Sequence, residues 1–159
     1  MTLTPDLHAR LKRLAQVAQK AAIHLQASDQ ALFEEPMTPE RAESMGSDTE
    51  RSDRLEAFVS RFSRLQDMLG DKLLPHLLAA LGETPRSSLD NLDRAERLGW
   101  INSSATWFRI RALRNLMVHD YIDDPRVLAD ALNSAHDFIP FLLSAARAMH
   151  AELEHRGWL

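Results

Sequence analysis

The chain has 159 residues, of which 45% are hydrophobic and 26% are charged, a balance typical of one globular domain with a hydrophobic core. It contains no cysteine, which excludes a disulfide framework, a thiolate metal site and a cysteine nucleophile. The formal charge of −4 argues mildly against a protein that coats nucleic acid, although a few arginines can still gather in one groove. Since no apolar run approaches the length of a membrane span and the N-terminus lacks signal features, we expect a cytoplasmic protein with no membrane partner.

The N-terminal segment predicts a long helix. Thr4 followed by Pro5 is a helix start, and leucines and alanines then recur at spacings of three and four as far as Leu25. We expect this helix to end before Pro36, and a short acidic helix to follow over residues 39–45.

A second long helix is predicted after Asp48, which can act as its N-cap. Gly70 and Pro75 interrupt its pattern, so that residues 73–81 are either a kinked continuation or a separate helix. The apolar stripe of this second helix has helical spacing and consists of Leu55, Phe58, Phe62, Leu65 and Leu69.

A shorter helix is predicted over residues 88–98, with Gly99 in the position that follows a helix C-terminus. Asn102 or Ser103 can cap the next helix. The expected apolar side of that helix is formed by Trp107, Ile110, Leu113, Met117 and Tyr121.

The final helix is predicted to follow Asp124-Pro125, and Pro140 inside it should kink it or split it in two. The tail over residues 156–159 is expected to fray, with packing of Trp158 at an interface as the alternative. Glycine is scarce and no alternating strand pattern occurs. The sequence therefore predicts an all-α, up-and-down bundle of four principal helices with shorter extra ones.

A narrow polar stripe lies on the helix before the last one. At about 100° per residue, Arg111, Asn115 and His119 stack one turn apart, and Arg114 lies about 60° to one side of Arg111. Amphipathic helices often carry such solvated faces, and histidine is common near a helix C-terminus, so the spacing alone identifies no site.

The stretch from Arg114 to Tyr121 resembles a known motif. Arg114, four residues, His119, one residue and Tyr121 are similar to the Arg-x4-His-x-Tyr motif of HepT-type toxins in the HEPN superfamily, with polar Asn115 directly after the arginine. The resemblance is specific over about eight residues, within a compatible helical layout. It implies a HEPN-like helical domain over residues 1–159 and a metal-independent endoribonuclease that needs no cofactor.

The resemblance implies roles for individual residues. His119 would take the proton from a ribose 2′-hydroxyl or deliver one to the leaving oxygen, and Arg114 would grip the scissile phosphate. Asn115 would orient the histidine or bind a phosphate oxygen, while Arg111 and Asp120 would support RNA binding. The expected product is a 2′,3′-cyclic phosphate, so that DNA, which lacks the 2′-hydroxyl, should not be cut.

Partners are implied as well. Arg114 and His119 lie about 140° apart around the helix, which a homodimer with a composite site would accommodate. The RNA substrate would be a tRNA or an mRNA. The family's antitoxin is a minimal nucleotidyltransferase that adenylylates the motif tyrosine, here Tyr121, although a partly buried aromatic side chain would equally explain a tyrosine at a helix end.

Other interpretations stay open. The chain could be a non-catalytic, nucleotide-binding or partner-binding subunit of a nucleotidyltransferase, or a structural helix bundle. The histidines show no metal-ligand spacing, and His150 with Glu154 predicts an intrahelical contact. The acidic residues around Asp123 and Asp124 could bind magnesium weakly, but turn formation and helix capping explain them adequately.

Overall fold

The computed structural model describes residues 3–119 and 122–159, including their side chains except that of His119. This part of the chain is helical and contains no β-strand. Its elements, in chain order, are α1 Pro5–Leu32, α2 Pro39–Ser44, α3 Thr49–Asp67, a π-helical segment Met68–Leu73, α4 Leu74–Ala80, α5 Ser88–Arg97, α6 Ser104–His119 and α7 Pro125–His155. None of the described helices is long and apolar enough to cross a lipid bilayer.

Helix α1 begins as the sequence predicts. The Thr4 hydroxyl accepts a 3.1 Å hydrogen bond from the backbone N–H of Leu7, and Pro5 occupies the first helical position. The helix ends at Leu32, ahead of Pro36. Its apolar seam packs mainly against α3, the π segment and α7. The buried apolar residues of this seam are Leu11, Ala15, Ala18, Ala21, Leu25 and Leu32.

Helix α3 passes through the π segment into α4 without a break, so residues 74–80 continue this helix and do not form a separate one. Asp48 caps α3 through a 3.1 Å hydrogen bond from the backbone N–H of Glu50. The π segment precedes Pro75, which has no N–H to donate to the turn before it. Gly70 lies in this segment against the buried ring of Trp107, where a Cβ atom would be 3.1 Å from ring atoms.

Helices α5 and α6 are joined by a tight C-terminal motif. Gly99 has a φ of +80°, and the backbone N–H groups of Gly99 and Trp100 donate to the carbonyls of Glu96 and Ala95. Ser103, the second of the two predicted caps, accepts a 3.0 Å hydrogen bond from Thr106. On α6, Trp107 and Ile110 are buried, while Leu113 and Met117 pack partly buried against the core.

Helix α7 is unbroken from Pro125 to His155, so of the two predicted effects of Pro140, a kink or a split, the split does not occur. Pro140 lies on the exposed side, where losing one N–H hydrogen bond leaves the packed face intact. That packed face, which includes Ala135, Ile139, Leu142, Ala145 and Met149, runs along both sides of the proline.

The prediction of a frayed tail is wrong. Gly157, with a φ of +70°, turns the chain back, and the N–H of Trp158 donates to the carbonyl of Leu153 at 2.9 Å. The Trp158 carbonyl in turn accepts a 2.9 Å hydrogen bond from Nε2 of His8 on α1, and the indole is only 8% exposed. A hydrogen bond therefore joins α1, near the start of the described chain, to the C-terminal tail.

Candidate functional site

Arg114 lies on α6 with its guanidinium directed at α3. Its Nη2 donates to Oδ2 of Asp67 at 2.8 Å, and its Nη1 donates to Oδ1 of Asn115 at 3.2 Å. The Arg114 side chain is 20% exposed. The guanidinium is thus held in place between two helices, close to the surface but largely covered.

A second arginine–aspartate pair lies one turn away. Nη2 of Arg111 donates to Oδ1 of Asp71 in the π segment at 3.0 Å, and its guanidinium carbon lies 5.9 Å from the Phe108 ring centroid. Because both pairs join α6 to the α3–π segment helix, they fix the contact between these elements. They also place a carboxylate beside each of the two arginines.

A groove with a volume of 680 Å³ runs between α3, the C-terminal half of α6 and the start of α7. Its walls are mainly apolar, and five charged residues line it. The apolar lining consists of Leu55, Val59, Met68, Met117, Val118, Ile122 and Leu128. The charged lining consists of Glu56, Arg64, Asp67, Lys72 and Arg114.

The predicted site residues take different places relative to this groove. Arg114 lines it, whereas Arg111 and the exposed Asn115 do not. The backbone of His119 forms the last residue of α6. The His119 side chain, Asp120 and Tyr121 lie outside the described residues. Val118 and Ile122, on either side of them, both line the groove.

Five charged residues of this region were missed by the sequence interpretation. Asp67 and Asp71 are four apart on one helix and match Arg114 and Arg111, which are three apart on another. These matching spacings could have predicted the two ion pairs, but only if α3 and α6 were known to be neighbours. No sequence signal pointed to Glu56, Arg64 or Lys72, which also line the groove.

The remaining candidates have structural roles. Asp124 caps α7 by accepting a 2.9 Å hydrogen bond from the N–H of Arg126. Nε2 of His150 lies 3.2 Å from Oε1 of Glu154, which confirms the predicted intrahelical contact. Within residues 3–119 and 122–159, no three histidine, aspartate or glutamate side chains come together in a way that could hold a metal ion.

The chain matches no protein-family model, no curated protein and no solved structure. An apolar wall beside arginine and lysine side chains suits a ligand with flat apolar parts and anionic groups, and arginine is the side chain best shaped to bind a phosphate through two hydrogen bonds.

Proposed function

We propose that this chain is a HepT-like toxin of the HEPN superfamily, a metal-independent endoribonuclease that acts in the cytoplasm as a homodimer. The observation that supports the proposal most is the position of Arg114. It lines a groove that is also lined by Val118 and Ile122, the residues on either side of the motif's His119–Tyr121 portion. An RNA in this groove would contact Arg114 and the residues on either side of that portion.

The proposed reaction is an internal transesterification. His119 removes the proton from a ribose 2′-hydroxyl, the 2′-oxygen bonds to the adjacent phosphorus, and the bond from phosphorus to the 5′-oxygen breaks. The leaving 5′-oxygen takes up a proton, and the products are a 2′,3′-cyclic phosphate and a 5′-hydroxyl. In a homodimer, two copies of His119 can divide the two proton transfers.

Arg114 stabilises the negative charge that develops on the phosphate oxygens. A scissile phosphate that approaches along the groove competes with the Asp67 carboxylate for the same guanidinium. Asp67 thus holds the guanidinium at the groove in the absence of RNA, and a phosphate takes its place as a partner.

Tyr121 is the proposed site of neutralisation by a cognate nucleotidyltransferase. Adenylylation of its hydroxyl would add a bulky group and a negative phosphate two residues from His119. Both effects oppose the binding of an RNA phosphate, the first by occlusion and the second by repulsion. The proposed substrate class is tRNA or mRNA.

The test compares the wild-type chain with His119→Ala and with His155→Ala, which removes an exposed histidine at the far end of α7. On induction in the same host, wild type and His155→Ala should arrest growth and produce new RNA ends, and His119→Ala should do neither. Purified wild-type chain should cleave RNA in the presence of EDTA, leave cyclic phosphate ends, and spare DNA of the same sequence. Cleavage that persists in His119→Ala would refute the assignment.

A second candidate is a non-catalytic subunit that binds a nucleotide or a nucleotidyltransferase. One observation favours it: Arg111 and Arg114 both have an aspartate partner, which reduces the positive field at the motif. If soluble wild type is harmless, cuts no RNA and forms a stable complex with a nucleotidyltransferase, this second candidate replaces the first.

A further inference from the structure

We propose that the groove binds the sugar–phosphate backbone of single-stranded RNA through Arg64 and Lys72, with unstacked bases against its apolar wall. This inference rests on the proposed function and deepens it, because it names residues outside the Arg114–Tyr121 motif that hold the substrate.

Arg64 and Lys72 differ from the arginines of the motif in their pairing. Both are exposed and line the groove, and neither side chain forms an ion pair or hydrogen bond with any described residue. Arg111 and Arg114, by contrast, are held by aspartates. The exposed Glu56 also lines the groove, so its three cations and two carboxylates leave a net charge of +1. Arg64 and Lys72 are the two of these cations that no described carboxylate holds, and a polyanion meets them first.

Arg64 and Lys72 lie on the same side of one continuous helix. They are eight residues apart, which is at most about 12 Å along the axis. The π segment bonds from residue i to i+5, so a revolution takes more residues there than in an α-helix, and Lys72 stays on the side of Met68 and Arg64. All three side chains line the groove. This arrangement gives two separated phosphate contacts along one wall.

The apolar wall of the groove favours the binding of single-stranded RNA over that of duplex RNA. Side chains such as Met68, Met117 and Leu128 offer contact to the flat faces of bases but carry no groups that could read a base edge. Bases of a single strand can be splayed into the groove, whereas those of a duplex are stacked and hidden. We therefore expect tight binding of single strands with little sequence preference.

The experiment measures binding apart from cleavage. In a His119→Ala background, fluorescence anisotropy of a labelled single-stranded RNA is compared for Arg64→Ala/Lys72→Ala and for Lys12→Ala/Arg13→Ala. The control pair removes the same charges from an exposed part of α1 that has no ion pairs within the described chain. Thermal unfolding midpoints confirm that each variant is folded, and Lys72→Gln serves as a milder single variant.

The groove variant should bind at least about tenfold more weakly than the control. The slope of log Kd against log salt should fall by about 1.4, the value for two lost contacts to a single strand. A duplex of the same sequence should bind more weakly than the single strand. Equal losses in groove and control variants, equal affinity for duplex, or no RNA binding by the His119→Ala chain would overturn the inference.

Failure of the inference and failure of the proposed function give different results. If wild type cleaves RNA but the groove variant binds like the control, the function stands and the substrate lies elsewhere. If the groove variant loses binding as expected but wild type cleaves nothing, the groove binds RNA and the ribonuclease proposal is refuted.

Discussion

Asp67 on α3 and Arg114 on α6 are 47 residues apart in the sequence, yet a carboxylate oxygen of the first lies 2.8 Å from a guanidinium nitrogen of the second. Their side chains are 39% and 20% exposed. The pair therefore acts in two ways: it joins two helices, and it places a negative charge on the wall of the groove.

These two roles predict opposite effects of Asp67→Asn. Loss of the ion pair should lower the free energy of unfolding by about 1 kcal/mol, a modest value because both groups are partly solvated. Loss of the negative charge should strengthen RNA binding severalfold, since phosphates no longer compete with a carboxylate. Denaturant unfolding and RNA anisotropy measure the two effects. Asp137→Asn, which removes an exposed carboxylate from α7, should change neither.

Arg114 and Arg109 provide a matched comparison on one helix. Arg114→Ala should reduce the rate of RNA cleavage by about 10²-fold or more, because a donor to the transition-state phosphate is lost. Arg109 is exposed, forms a 3.0 Å hydrogen bond with Thr106 and does not line the groove, so that Arg109→Ala should change the rate less than about threefold. Single-turnover cleavage at saturating enzyme is the measurement, and similar losses in both variants would contradict the proposed role of Arg114.

Gly70 is predicted to resist substitution although it lies within a helix. An alanine Cβ would be 3.1 Å from two ring atoms of Trp107, whose side chain is fully buried and cannot move aside easily. The resulting strain of about 1–3 kcal/mol exceeds the roughly 1 kcal/mol that alanine gains over glycine in a helix, so Gly70→Ala should be destabilising. Gly46→Ala, which meets a single atom at 3.8 Å, is the control for thermal unfolding and should be neutral or slightly stabilising.

Trp158 is expected to contribute to stability despite lying next to the last residue. Its indole is 8% exposed, and Trp158→Ala should lower the free energy of unfolding by about 3 kcal/mol. Leu159→Ala, at a side chain that is 39% exposed, should lower the free energy of unfolding much less. If both substitutions have the same small effect in chemical denaturation, the tail frays in solution.

Local signals predicted most of the helix boundaries. Thr4, Asp48, Ser103, Asp124 and Gly99 act through hydrogen bonds or backbone angles within a few residues of themselves, so the sequence around each of them determines the outcome. The all-helical class follows from the same signals together with the periodic apolar residues.

The parts that were missed depend on contacts between distant residues. The bonds from Arg114 to Asp67 and from Arg111 to Asp71 span 47 and 40 residues, and no local pattern reveals them. The tail was mispredicted for the same reason, because Trp158 is held by His8 at the other end of the chain. For the candidate site, the sequence predicted one residue of the groove, Arg114, and its neighbour Asn115. Much of the surrounding wall comes from α3 and the π segment, whose pairing with α6 is a property of the fold.

The π segment also holds about one residue more than an α-helix would need for the same rotation. Its six residues, Met68–Leu73, turn the chain through about the angle that five α-helical residues would cover. Loss of one residue there would convert the segment into ordinary α-helix and leave the buried Leu77 facing the core. Among related chains, this segment is therefore the place in the helix where a difference of one residue in length would be tolerated.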